Sequence, residues 1–141
     1  MRQLDRDEPD YAQAVRLGPE ALPHLEQLIQ GSNLGLAAKA ACLAGTMNAE
    51  GSAPLLELAA SHADPVVRVA AAAAARNLTH MTASLATTFL EDPDHGVRKW
   101  ALRSLEVHQP QGIKERIQKI VTDDPDLGLR EQARRLVEGI K

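Results

Sequence analysis

Apolar residues recur along this chain in two helical registers that alternate. Segments 33–40, 64–71, 94–101 and 126–133 align without gaps. Each begins with Asn33, Asp64, Asp94 or Asp126, and these four residues lie 31, 30 and 32 positions apart. Three positions on stands an aliphatic residue: Leu36, Val67, Val97 or Leu129. Four further on stands alanine: Ala40, Ala71, Ala101 or Ala133. The apolar series continues at Leu43/Ala44, Ala74/Ala75, Leu105 and Leu136/Val137, one face of an α-helix. Asn or Asp at the head suits a helix N-cap, where its oxygen accepts from free backbone N–H groups. Pro65 fits the first helical position, where a missing N–H does no harm. These features predict A helices over 34–46, 65–77, 95–106 and 127–139. Alanine at the same place in each predicts a neighbouring helix too close for a larger side chain.

A second apolar-periodic segment lies between them, predicting B helices over 19–30, 50–61, 81–91 and 112–121. Their expected core positions are Leu22/Leu25/Leu28/Ile29, Ala53/Leu56/Ala59/Ala60, Ala83/Ala86/Phe89/Leu90 and Ile113/Ile117/Ile120/Val121. Gly18, Gly45 and Asn77 are expected to end A helices in left-handed caps. A half-length A helix is expected over 10–17. One such pair cannot bury its own apolar face, so the pairs must stack. The predicted fold is all-α, an α-α superhelix (solenoid) of roughly four and a half helix pairs and about nine helices. It forms a single domain over 1–141: a half repeat (10–30), repeats 33–61, 64–91 and 94–121, and a C-terminal capping helix (126–140). Arg130, Glu131, Arg134, Arg135, Glu138 and Lys141 give that last helix the polar outer face expected of a cap.

Composition adds little to this picture. One Trp, one Tyr and one Phe among 141 residues suit thin Ala/Leu layers between close helices rather than one thick core. Net charge is −3, which disfavours wholesale nucleic-acid binding. The charge is uneven: residues 1–70 carry 5 basic and 9 acidic side chains, residues 71–141 carry 11 and 10. Cys42 is the one cysteine, so no internal disulfide is possible and a reducing compartment is expected. The polar start of the chain does not read as a signal peptide, and no apolar run reaches the ~18 residues of a membrane span. A cytoplasmic monomer without cofactors is expected.

Asp-x-x-Val-Arg-x-x-Ala, with Ala21-Leu22-Pro23-His24-Leu25 and Ala53-Pro54-Leu55-Leu56 in the second helices, resembles HEAT repeats. The unit length is that of the HEAT-like repeats of phycocyanobilin lyases. The resemblance implies a structural ladder of Asp and Arg: Asp64/Arg68, Asp94/Arg98 and Asp126/Arg130. Each pair could link neighbouring repeats or close at i,i+4 within one helix. Ala37 stands where the first copy should carry Arg, so the first rung is expected to be missing.

No catalytic constellation emerges. The sequence holds no phosphate-binding loop, Gly-x-Ser-x-Gly or Cys-x-x-Cys. His24, His62, His80, His95 and His108 do not converge, so no metal site is expected. None is followed by Glu, unlike the iron-holding His-Glu dipeptides of the HEAT-like deoxyhypusine hydroxylases. Cys42 aligns with Ala73, Arg103 and Arg135, which reads as a small residue near the outer surface rather than a nucleophile. Trp100 is either packing between A helices or a half-exposed binding anchor. A non-enzymatic protein follows from these absences.

The resemblance implies that B helices line the concave side, where a partner docks. The aligned exposed positions are Pro23, Pro54, Ser84 and Glu115; Gln27, Leu58, Thr88 and Lys119; and Glu26, Glu57, Thr87 and Gln118. Leu58 is the aliphatic member of a polar stripe: either an exposed contact or a residue buried by a shifted register. The leading expectation is an interaction or scaffold module for another protein or peptide. The alternatives are an accessory, lyase-like or chaperone factor of the phycobilin-lyase type, and a nucleic-acid binder. The last would need Lys99, Arg103, Lys114, Arg116, Lys119, Arg134 and Arg135 to form one patch.

Overall fold

The computed structural model describes residues 21–47 and 51–140. Eight α-helices follow one another among them. They are α1 (Leu22–Gln30), α2 (Leu34–Met47), α3 (Ser52–Ala60), α4 (Pro65–Ala74), α5 (Ala83–Leu90), α6 (His95–Ser104), α7 (Ile113–Asp123) and α8 (Leu127–Gly139). A 3₁₀ turn (Ala75–Asn77) extends α4. Odd-numbered helices are the B set and even-numbered ones the A set, and α2, α4, α6 and α8 pack in sequence, as do α1, α3, α5 and α7. The predicted half helix over 10–17 and Gly18 lie outside the described residues.

All four predicted caps form. Asn33 accepts from Leu36 N–H, Asp64 from Val66, Asp94 from Gly96 and Val97, and Asp126 from Leu129. Ala40, Ala71, Ala101 and Ala133 are wholly buried, with Val67 and Val97 beside them. In the B set, Leu25, Ile29, Leu56, Phe89, Ile113 and Ile117 fill the space under the A helices. Two core expectations are corrected. Ala83 is exposed, because it opens α5 and Thr82 caps it; Leu85 takes the core position. Leu55 is buried beside Leu56, because α3 is covered by α4 on one side and its B neighbours on the other.

Gly45 and Asn77 are not left-handed caps either. Gly112, the N-cap of α7, is the residue with a positive φ among those described. Gly45 lies inside α2, and a Cβ there would stand 2.5 Å from the carbonyl oxygen of Ala74. Its place is set by how closely α2 crosses α4.

The arginine ladder exists, with different acids. Asp64, Asp94 and Asp126 are occupied as caps. Arg68 Nε instead meets Asp92 at 2.8 Å and Arg98 Nε meets Asp124 at 2.7 Å, each acid belonging to the next B-to-A turn. Each of these arginines also donates to two carbonyls of its own turn, His62 and Ala63 or Asp92 and Pro93. Arg130 Nε donates to the Asp124 carbonyl. Asp92 and Asp124 further accept the backbone N–H of the cap two residues on, at 2.9 Å each. One carboxylate therefore shapes a turn and clamps it to the previous repeat.

His62 occupies the same turn position, and its Nδ1 accepts from Asp64 N–H at 2.9 Å. It keeps the turn bond but supplies no anion, and Ala37 supplies no cation. Both halves of the first rung are thus absent together. Rungs span 24 and 26 positions, and Ala37 and His62 lie 25 apart. The pair Ala37→Arg with His62→Asp is expected to show a favourable coupling of about 1–2 kcal/mol in a double-mutant cycle of urea unfolding. Additive single effects would show that this junction cannot seat a rung.

Candidate functional site

The B-helix face carries the sequence-derived docking positions. Pro23, Glu26 and Gln27 are exposed on α1, Pro54 and Glu57 on α3, Ser84 and Thr88 on α5, and Glu115, Gln118 and Lys119 on α7. Leu58 and Thr87 are half-buried. These positions face outward because the apolar stripe of each B helix, with Leu25, Leu55 and Ile117, is drawn into the core and leaves the opposite face to solvent.

The structure brings four of the twelve together. Pro23, Glu26, Pro54 and Leu58 line one open cleft of about 520 Å³ between α1 and α3, with Leu22, Gly51 and Leu55. Leu58 thus answers both sequence readings in part: one side packs on the core and the other faces the cleft. A second cleft of about 390 Å³ lies between the ends of α5 and α7. Leu90 and Ile120 give it an apolar floor, and Glu91, Arg116, Lys119 and Asp123 a charged rim. Arg116 is tied there to Glu91 at 3.1 Å. Gln27, Glu57, Ser84, Thr87, Thr88, Glu115 and Gln118 line neither cleft.

The ladder residues Asp64, Arg68, Asp94, Arg98, Asp126 and Arg130 fall at the B-to-A turns, away from the α1–α3 cleft. Asp92 and Asp124 are the members missed in the sequence. The signal was an Asp-Pro-Asp tripeptide before the helix, present at 92–94 and 124–126. Trp100 is half-buried against the core, with the Arg103 guanidinium 4.7 Å from its ring centre. That arrangement is packing on the A side.

The seven cations proposed as a nucleic-acid patch divide between opposite sets of helices: Lys99, Arg103, Arg134 and Arg135 on A helices, Lys114, Arg116 and Lys119 on α7. Arg134 and Arg135 are held by Glu131, and Arg134 also by Glu138. These hydrogen bonds hold the Glu131 carboxyl below the usual carboxylate range. Cys42 is exposed, and desolvation by its surroundings pushes its thiol up, the reverse of what activates a nucleophile. Among the described residues no group of His, Cys, Asp and Glu could hold a metal ion, and no helix is long and apolar enough to cross a membrane.

The solved complex of CpcE and CpcF of phycocyanin lyase from Nostoc sp. PCC7120 contains a chain of similar fold. The TM-score is 0.71 at 21% identity, over 89% of this chain and 85% of that one. No curated protein matches in sequence. The likeness corrects the expectation of a non-enzyme: the same fold occurs in a lyase assembly, so the lack of a recognisable motif does not exclude catalysis. The sequence pattern of HEAT repeats matches residues 52–138, and α3 to α8 realise it as stacked helix pairs with capped A helices and an arginine ladder; the chain belongs to the HEAT-repeat family.

Proposed function

We infer that this chain binds another protein through its B-helix face, as a HEAT unit of a larger assembly. The supporting observation is the convergence of Pro23, Glu26, Pro54 and Leu58 on one open cleft, on a face whose other members are mostly exposed. In this reading the protein is cytoplasmic and monomeric until it meets its partner. Nucleic acid is not the partner, since its cations are split between two faces and several are paired.

Affinity purification from the native host, wild type beside Leu58→Asp, tests the reading. A charge in the cleft is expected to weaken capture of the specific partner about tenfold, roughly 1.4 kcal/mol. Lys39→Glu on the A-helix side is the control expected to leave capture intact. Equal capture by Leu58→Asp, with unchanged circular dichroism, would reject the B-helix face.

A second reading is favoured by the likeness to a chain of the phycocyanin lyase complex: an accessory or lyase-type subunit in pigment attachment. Covalent pigment on phycocyanin chains after co-expression would support it. Colourless chains, with or without the protein, would remove it.

A further inference from the structure

We propose that the α1–α3 cleft accepts a basic segment of a partner protein, with one aliphatic side chain in the cleft and Lys or Arg beside it. The proposal rests on the B-helix reading above and adds the chemistry of the occupant. The cleft is apolar apart from one side chain. Leu22, Pro23, Pro54, Leu55 and Leu58 supply its walls, and Glu26 stands on its rim. Glu57 lies one helical turn beyond Pro54 and so on the same side of α3. Both carboxylates are exposed, and among the described residues neither takes part in an ion pair. Between residues 21 and 67 the single Lys or Arg is Lys39, on α2 in the A set. Among the described residues the cleft therefore offers an apolar floor in an unbalanced negative field. A hydrophobic anchor flanked by cations satisfies both, and an acidic segment is repelled.

Charge also sorts the other occupants. Residues 1–20 carry Arg2, Arg6 and Arg16 against Asp5, Asp7, Glu8, Asp10 and Glu20, so the chain's own start has the wrong sign. A second copy could present its more basic half, and that is an outcome the experiment separates.

The test uses the full chain and an array of twelve-residue peptides. Each has a central Leu or Ala in a Gln/Ser background, flanked by two Lys or two Glu. Retention is expected on Leu peptides with Lys, at least fivefold above those with Glu, and is lost with Ala at the centre. Glu26→Lys/Glu57→Lys should reverse the charge preference while keeping the need for Leu. Equal retention of Lys and Glu peptides, no retention of any, or no reversal by the double variant would overturn the proposal. So would concentration-dependent self-association in sedimentation that Glu26→Lys/Glu57→Lys abolishes, since a second copy would then be the occupant. If Leu58→Asp loses the native partner but the charge variant keeps it, only the proposed occupant fails. If Leu58→Asp keeps the native partner, the B-helix reading itself fails.

Discussion

Asp124→Ala is expected to lower folding stability by about 3–5 kcal/mol, the cost of stranding one member of a nearly buried ion pair. Asp124 and Arg98 are 3% and 11% exposed at the side chain. Removing the carboxylate leaves the Arg98 guanidinium desolvated, and also frees the Asp126 N–H that shapes the turn into α8. In a stack with nearest-neighbour contacts the loss is local. Hydrogen exchange should therefore speed up in α7 and α8 first and leave α2–α4 protected. The Arg116–Glu91 pair is the control. Both partners are half exposed, so Glu91→Ala is expected to cost under about 1 kcal/mol. Equal losses for the two variants in urea unfolding would refute the ladder as a clamp between repeats.

Gly45→Ala is expected to destabilise by about 1–3 kcal/mol, although alanine is the better helix former. The added Cβ would fall 2.5 Å from the Ala74 oxygen and 2.7 Å from the Ala74 Cβ. Backbone cannot swing aside as a long side chain can, so α2 and α4 must part, and the buried alanines between them lose contact. Gly45→Asn separates this account from a left-handed cap. A cap tolerates Asn, whereas a helix crossing tolerates it less than Ala. Gly139→Ala, with open space at its Cβ, should leave the thermal midpoint unchanged or slightly raised. A Gly45→Asn protein more stable than Gly45→Ala would overturn the close-crossing account.

The local parts of the fold were legible along the chain. The helix order, the four caps and the buried alanine column follow from short-range rules: an oxygen beside free N–H groups, and a 3.6-residue apolar period. They were legible because each repeat states them again. The exposed B-face positions were legible for the same reason, since the residues left over from a buried stripe must face outward. The Asp-Pro-Asp turns were visible too, but their meaning was not.

Whatever depends on two elements meeting emerges only when the helix pairs stack. Arg68 and Arg98 could have closed on acids in their own helix. They reach the next turn instead, because Asp64 and Asp94 are already spent on capping and the stacked repeat brings Asp92 and Asp124 within 3 Å. Gly45 looked like a helix end until α4 was placed against it. Leu58 could not be assigned to core or surface from its own helix, because the cleft it shares with Pro23 exists only between α1 and α3. The physical reason is common to all three. Hydrogen bonds and periodicity act within a few residues, whereas clearance between helices and the choice among several acids are set by how the pairs stack.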